Sequence, residues 1–193
     1  MQQKQPLVSI AVVTYNSGKT VLDTLESIAA QTYQNIELII SDDCSKDDTV
    51  AICRAWLDSH GSRFARTELL QAEVNRGVCV NANKGRFAAT GEWQMGLAGD
   101  DILLPNCLSD NMDYVEKHPD SSIIFSYMKI YNEEFREENC INDKKGPKDR
   151  LEEDVHSSIY TASPSVTIHY KSRVVLSSFR HISTCQKKAV LLP

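Results

Sequence analysis

The chain has 193 residues, of which 41% are hydrophobic and 24% are charged, and its formal net charge is -5. This length suits one domain, or one domain with a fragment of a second. The acidic balance argues against nucleic acid as the main partner, because a phosphate backbone requires a concentrated basic surface. No run approaches the roughly 18 to 20 apolar residues of a membrane-spanning helix, and residues 1–6 lack the apolar core of a signal peptide.

Short apolar runs alternate with helical patterns along the first two thirds of the chain. A β-branched run at 7–13 predicts a strand, and apolar residues at helical spacing over 21–29 predict a helix. The alternation continues with predicted strands at 36–40, 67–70, 91–97 and 122–127, and with predicted helices at 50–57, 78–89 and 105–117. This order predicts an α/β fold with a mostly parallel sheet flanked by helices.

Most residues between 133 and 154 are charged. Such a segment buries too little apolar surface to offset its ordering entropy, so we expect a mobile, solvated loop. Residues 163–168 predict a return to strand. The chain accordingly divides into a tail at 1–6, a sheet domain at 7–128, a charged segment at 129–160 and a last, incomplete region at 161–193.

The cysteines form no metal-binding or disulfide pattern, because none belongs to a CxxC or CxxxC pair. We therefore expect reduced thiols in a cytosolic protein, several of them buried. They are Cys44, Cys53, Cys79, Cys107, Cys140 and Cys185.

Polar side chains follow each of the first four predicted strands. The carboxyl ends of parallel strands form the ligand-binding edge of an open α/β sheet, so these side chains should converge there. Each cluster alone is also explained by a turn or a helix cap, but their common placement favours a binding site. They are Thr14, Tyr15 and Asn16 after the first strand, Asp42 and Asp43 after the second, Arg76 after the third, and Asp100 and Asp101 after the fourth.

The sequence lacks GxGxxG after the first strand and lacks GxxxxGK[ST], so neither a Rossmann dinucleotide site nor a P-loop is expected. Adjacent carboxylates such as Asp100 and Asp101 repel each other and also repel a diphosphate. A divalent cation between them removes both conflicts. Oxygen ligands suit Mg²⁺ or Mn²⁺, with water and substrate phosphates completing the coordination shell. In the alternative, the pair caps the next helix. A helix cap accounts for the presence of one of the two carboxylates, but less well for the presence of both.

Together these motifs resemble the family-2 glycosyltransferases of bacterial polysaccharide synthesis, which have the GT-A fold. The resemblance implies the nucleotide-sugar-binding half of an inverting enzyme that transfers a sugar from a UDP-sugar donor to an acceptor hydroxyl. The acceptor would be a saccharide or a lipid-linked group. Matching stretches occur between residues 7 and 128 in the family's order and spacing, and include Thr14-Tyr15-Asn16, Asp42-Asp43, Asn75-Arg76-Gly77, Asn83-Lys84-Gly85 and Gly99-Asp100-Asp101.

The resemblance implies a role for each matched residue near the base. Thr14 and Tyr15 would line the nucleotide base, and Asn16 would shape the turn. Asp43 would accept a hydrogen bond from the uracil ring, with Asp42 beside it.

Four further residues would act on the rest of the donor. Arg76 lies near the family's base and phosphate contacts, and Asn83 belongs to the same nucleotide-sugar site. Asp100 would contact the ribose or sugar and share the metal. Asp101 would be the main ligand of Mn²⁺ or Mg²⁺.

The sequence departs from the family pattern at three places. Ala98 stands where the family often has a further Asp, and Ala82 stands where a basic residue often precedes the Asn of the Asn-Lys-Gly stretch. The acidic motif that supplies the family's general base has no counterpart before Pro193, so no catalytic residue is assigned. His169 and His181 are poor substitutes, because neither lies at a recognised strand end.

These departures keep an alternative open, namely a nucleotide-sugar-binding domain without catalytic activity. We expect a truncation or an altered reading frame near the C-terminus, and a chain that binds donor but transfers sugar poorly. A missing C-terminal part could hold the otherwise cytoplasmic protein at the inner face of the membrane. A nucleotidyltransferase would need a Gly-rich basic loop after the first strand, and this sequence has none.

Overall fold

A computed structural model describes residues 5–131, 166–171 and 188–191 of the chain. The predicted charged loop at 133–154 lies outside the described residues, as does most of the region at 161–193. None of the helices in the described part combines the length and hydropathy that crossing a bilayer requires.

The described residues form strands and helices in the predicted alternating order. The helices are α1 (Val21–Ala29), α2 (Thr49–His60), α3 (Val78–Ala88) and α4 (Cys107–Lys117), with a 3₁₀ turn at Gly61–Arg63. The strands are β1 (Val8–Thr14), β2 (Ile36–Asp42), β3 (Arg66–Gln71), β4 (Trp93–Ala98), β5 (Ile102–Leu103), β6 (Ile123–Tyr131), β7 (Val166–Lys171) and β8 (Lys188–Leu191).

The strands form one sheet in the order β3-β2-β1-β4-β7-β6-β8-β5. The first four of these pair in parallel. β7 is antiparallel to both β4 and β6, so β6 runs parallel to β4. The prediction of a mostly parallel α/β sheet is therefore confirmed. The insertion of β7 between β4 and β6 is an addition that the order of elements did not indicate.

One face of the sheet carries the main hydrophobic core. Alternate residues of β1, β2 and β4 point to this face, where α1, α2 and α4 cover them. Trp93 and Trp56 belong to this core. Each fully buried large apolar side chain stabilises the fold by roughly 1.5–3 kcal/mol.

α3 packs on the opposite face, against β1 and β2. Small residues allow this close approach. A Cβ atom at Gly85 would lie 3.2 Å from the Cβ of Ala11 and 3.3 Å from the Cβ of Ser41. The close packing places the first turn of α3 beside the carboxyl ends of β1 and β2.

Three of the described cysteines are buried and a fourth is half-buried, all as free thiols. Burial raises the pKa of Cys53 and of Cys107 to about 12, so these two thiols stay protonated at neutral pH. The prediction that several thiols are buried is confirmed. Cys140 and Cys185 lie outside the described residues.

A buried carboxylate joins the strands at the amino edge of the sheet. Glu37, at the start of β2, accepts hydrogen bonds from the hydroxyl of Ser9, the amide of Thr90 (2.8 Å) and the guanidinium of Arg66 (2.6 Å). Burial raises the pKa of Glu37, but these hydrogen bonds outweigh it and hold the pKa below the ordinary value of 4.5. Glu37 therefore stays ionised and connects β1, β3 and the turn before β4.

We expect Glu37→Gln to lower the free energy of unfolding by about 3 kcal/mol, because Arg66 and Thr90 lose a buried charged acceptor. Glu68→Gln is the matched control. Glu68 contacts the same guanidinium from a more exposed position, so its loss should cost less than about 1 kcal/mol. Urea unfolding at neutral pH checks both values, and equal losses would contradict the assignment.

The same measurement against pH has a definite sign. The pKa of Glu37 is lowered in the folded state, so its contribution is complete above the unfolded value of about 4.5. The contribution is lost as the pH falls through the lower folded pKa. The difference between wild type and Glu37→Gln should therefore shrink only below pH 4.5.

Candidate functional site

The carboxyl ends of the first four strands lie in register at one edge of the sheet. Thr14 of β1 pairs with Asp42 of β2, and Asp42 pairs with Gln71 of β3. On the other side of β1, Val13 pairs with Ala98 of β4. The polar residues that follow these strands therefore meet along one edge, as the sequence predicted.

The turn after β1 is tied to the loop after β2. Asn16 has a φ of +51°, a value that Asn tolerates better than most residues. Its amide donates to Ser45 Oγ and its side-chain oxygen accepts from the amide of Lys46, both at 2.8 Å. Asp47 accepts from the amide of Gly18 at 2.9 Å. These bonds fix the path of the turn that contains Asn16.

The neighbouring residues Asp42 and Asp43 have different surroundings. The Asp42 side chain is 0% exposed and accepts hydrogen bonds from Thr14 Oγ1 (3.0 Å) and from the amide of Ser45 (2.9 Å). Asp42 thus holds the end of β1 to the loop that follows β2. Asp43 is 3% exposed, and its carboxylate accepts hydrogen bonds from the amides of Arg76 (2.9 Å) and Gly77 (2.7 Å) at the start of α3.

The start of α3 depends on a backbone conformation that suits glycine. Gly77 precedes the helix with a φ of 87° and a ψ of 161°. In this conformation its amide points to the Asp43 carboxylate. An anion at this place satisfies amides that lack helical partners and is stabilised by the helix dipole.

A cavity of about 390 Å³ opens beside this contact, between the end of β3 and α3. Its volume falls in the range of small-molecule sites. Of the predicted site residues, Asp43 and Arg76 line it, whereas Thr14, Asp42 and Asn83 are not among its lining residues. Its walls are formed by Asp43, Gln71, Ala72, Glu73, Val74, Arg76, Val80, Asn81 and Lys84.

Seven of the nine lining residues were not predicted as site residues, among them the polar residues Glu73, Asn81 and Lys84. Lys84 lies within the Asn-Lys-Gly stretch, of which only Asn83 was predicted as a site residue. Asn81 carries a polar amide on the buried side of α3, which is a signal that helical periodicity could have supplied. Tyr15, which directly follows β1, is 49% exposed at the same edge of the sheet.

Asp100 and Asp101 lie on the other side of β1, in the turn between β4 and β5. The turn is held by hydrogen bonds from the amide of Gly99 to Val13 O (2.9 Å) and from Thr20 Oγ1 to Gly99 O (2.8 Å). Both carboxylates are half-buried. The cavity and this acidic pair therefore flank the end of β1.

The acidic pair fits a divalent cation only in combination with a ligand. No group of three or more His, Cys, Asp or Glu side chains that could hold a metal occurs in the described part of the chain. Mg²⁺ is commonly bound by one or two carboxylates together with substrate phosphates and water. Asp100 and Asp101 match that chemistry, because they supply two hard oxygen donors at an accessible edge.

We expect Gly77→Ala to destabilise the fold by roughly 1–3 kcal/mol through backbone strain alone, because nothing lies within 4 Å of the added Cβ. Gly61→Ala is the matched control. Gly61 has a φ of -57°, and its Cβ would make an ordinary contact at 3.7 Å, so this change should be neutral or slightly stabilising. Denaturant unfolding of the two variants compares them directly. An unchanged Gly77→Ala would show that the turn adapts without strain.

The chain is similar to known glycosyltransferases over the region that contains this site. The model of glycosyl transferase family 2 matches residues 9–172. The putative glycosyltransferase EpsE of Bacillus subtilis is 30% identical over 128 residues, which cover 66% of this chain and 45% of EpsE. The UDP-Glc:alpha-D-GlcNAc-diphosphoundecaprenol beta-1,3-glucosyltransferase WfaP of Escherichia coli is 34% identical over 127 residues, or 66% of this chain and 47% of WfaP. The chain thus spans less than half the length of these relatives.

Solved structures show the same fold. S. aureus TarS aligns with a TM-score of 0.61 and 24% identity, over 86% of this chain and 47% of the crystallised one. The mannosyltransferase PcManGT from Pyrobaculum calidifontis aligns with a TM-score of 0.57 and 23% identity, over 63% of this chain and 35% of that chain. These likenesses confirm the GT-A fold, and the family match confirms the resemblance seen in the motifs: the chain belongs to glycosyl transferase family 2.

Proposed function

We propose that this chain binds the donor of a glycosyltransferase, with a UDP-sugar as the donor and Mn²⁺ or Mg²⁺ as the cation. The observation that carries the proposal is the placement of two complementary groups on either side of the carboxyl end of β1. A cavity lined by Asp43 and Arg76 lies on one side, and Asp100 and Asp101 lie on the other. Two strand spacings separate β2 from β4, about 10 Å, which suits a nucleotide laid across the sheet edge.

The base would bind at the Asp43 side. Each oxygen of the Asp43 carboxylate accepts one backbone amide, and an ionised carboxylate has further acceptor capacity on both oxygens. It can therefore accept the ring N–H of uracil. The exposed Tyr15 ring offers a stacking surface, and Thr14 and Asn16 hold that turn in place. TarS, which has the same fold, has been solved with UDP and with UDP-GlcNAc, and this supports a uridine donor.

The diphosphate would lie toward Asp100 and Asp101, with Arg76 and Asn83 assisting on the α3 side. Two carboxylates cannot hold a diphosphate unaided, so a cation is needed to join them. PcManGT, of the same fold, was solved with GDP-Man and Mn²⁺. When bound, such a cation supplies Lewis-acid stabilisation of the charge on the leaving diphosphate. The chain's own part is to orient the donor and to hold Asp100 and Asp101 at the strand end.

The acceptor side of the reaction is proposed from the family. Inversion requires direct attack by an acceptor hydroxyl on the anomeric carbon, with a carboxylate taking its proton. The name of WfaP includes a diphosphoundecaprenol-linked sugar, which supports a lipid-linked saccharide as the acceptor. With such an acceptor, the enzyme would act at the inner face of the membrane. The acidic motif expected to supply the base has no counterpart in the sequence. A second candidate is a donor-binding domain without transfer, and acceptor-dependent release of UDP would separate the two.

We expect UDP to bind at least about tenfold more tightly with Mn²⁺ than without it, because the acidic pair otherwise repels the diphosphate. Asp101→Asn should remove most of that gain, and Asp100→Asn should remove less. Asp58→Asn changes an exposed carboxylate on α2 and should leave the Mn²⁺-dependent gain in UDP affinity intact. Calorimetry with and without Mn²⁺ measures all four proteins. Equal affinity in both conditions would refute the metal site, and equal losses for both variants would refute the division of roles.

We expect Asp43→Ala to weaken UDP binding about tenfold while its metal dependence persists, because a charge-assisted hydrogen bond to the base is lost. Selectivity is the sharper readout. Uracil offers an N–H at ring position 3 and cytosine offers an acceptor there, so the wild type should prefer UDP to CDP and the variant should prefer it less. A variant that keeps both the UDP affinity and the preference would remove Asp43 from the base site.

A further inference from the structure

Asn81 closes a ring of hydrogen bonds around the start of α3. Thr14 O, at the end of β1, accepts from the amide of Asp43 at 3.0 Å. The Asp43 carboxylate accepts from the amide of Gly77 at 2.7 Å, and Gly77 O accepts from the amide of Asn81 at 3.1 Å. The side-chain Nδ2 of Asn81 then donates back to Thr14 O at 3.1 Å. Hydrogen bonds thus connect four residues in a closed ring that joins β1, the loop after β2 and the start of α3.

The side chain of Asn81 is 2% exposed and is fully engaged. Its Nδ2 also donates to Ser41 O at 2.9 Å, and its Oδ1 accepts from Ser41 Oγ at 2.7 Å. Carbonyl oxygens only accept, so the two carbonyls fix the nitrogen on their side and the hydroxyl fixes the oxygen on the other. No other common side chain of this size offers two donors and an acceptor in one plane.

The ring determines the shape of the cavity because α3 forms one of its walls. Val80 and Lys84 are one helical turn apart on α3, and both line the cavity beside Asn81. Arg76 and Asp43 line it from the other end of the ring. A shift of α3 would therefore change the positions of Val80 and Lys84, and of Arg76 just before the helix, relative to Asp43.

We propose that Asn81 is a positioning residue for nucleotide binding, which acts by holding Asp43 and the first turn of α3 in the geometry that receives the base. The inference rests on the proposed function, since it assigns the cavity to the nucleotide. Asn81 forms part of the cavity wall, but its proposed effect on the nucleotide passes through Asp43.

Gln31 provides a matched control elsewhere in the molecule. Its amide, also 2% exposed, bridges three backbone groups: Nε2 donates to Ser27 O (3.1 Å) and Leu104 O (2.7 Å), and Oε1 accepts from the amide of Leu108 (3.1 Å). It joins α1 to α4 and does not line the cavity. Loss of either amide leaves buried carbonyls without a donor, so the two substitutions should cost similar stability.

The experiment compares Asn81→Ala, Asn81→Asp and Gln31→Ala with the wild type in the same 193-residue chain. Asn81→Asp keeps the volume and the acceptor for Ser41 but removes both donors, so it separates loss of the hydrogen bonds from loss of packing. Two quantities are measured in each protein. The first is the amide exchange rate of Arg76 and Gly77, which needs no ligand, and the second is the affinity for UDP and for CDP in the presence of Mn²⁺.

We expect both Asn81 variants to exchange the Gly77 amide at least about tenfold faster than Gln31→Ala does, at matched global stability. We also expect them to bind UDP about tenfold more weakly and to lose part of the preference for UDP over CDP, whereas Gln31→Ala retains both. Unchanged Gly77 exchange in the Asn81 variants would overturn the inference. So would equal losses of affinity in Asn81→Ala and Gln31→Ala.

The outcomes also separate this inference from the function on which it rests. If the wild type binds no nucleoside diphosphate, the proposed function fails and the role of Asn81 in binding fails with it. The exchange of the Gly77 amide would still decide whether Asn81 holds Asp43. If the wild type binds UDP and the Asn81 variants bind it equally well, the proposed function survives and the positioning role is refuted.

Discussion

The carboxylate of Asp43 and the amides at the start of α3 form the contact on which the rest of the site depends. Asp43 follows β2 and Gly77 precedes α3, so the whole of α2 and β3 lies between them in the sequence. The helix needs an acceptor for its first amides, and the nearly buried carboxylate needs donors. Neither requirement is met without the other, so the cavity takes its shape only when β1, β2 and α3 have come together.

At the opposite, amino edge of the sheet, the buried carboxylate of Glu37 has a structural role. Glu37 joins β1 through Ser9, β3 through Arg66 and the turn before β4 through Thr90. These are the same strands whose carboxyl ends carry the candidate site. Fixing one edge leaves the loops of the other edge free to be polar and partly exposed without loss of register. A rigid scaffold with binding groups on its loops is the usual division in α/β folds.

The parallel half of the sheet could be predicted from the sequence, because its strands are short apolar runs separated by regular helical patterns. The sequence could not indicate that β7 enters between β4 and β6, since that pairing is made far along the chain and leaves no local pattern. The separate surroundings of Asp42 and Asp43 could have been read from strand alternation, because Asp42 has the parity of the core-facing residues. The ring through Asn81 could not, since a polar residue in a helix shows its partners only in three dimensions.

The distribution of charge indicates the orientation in which the proposed donor would lie across the sheet edge. The cavity contains two acidic side chains, Asp43 and Glu73, and two basic ones, Arg76 and Lys84, so its formal charges balance. Asp100 and Asp101, on the other side of β1, place two acidic side chains side by side. A nucleoside diphosphate has a neutral base at one end and anionic phosphates at the other. The balanced cavity suits the base, while the acidic pair accepts the phosphates only with a cation between them. On the proposed function the cation and the diphosphate each raise the affinity of the other by the same factor, as linkage requires. The acidic pair would then weaken the binding of a metal-free diphosphate and strengthen the binding of a diphosphate that is bound to its cation.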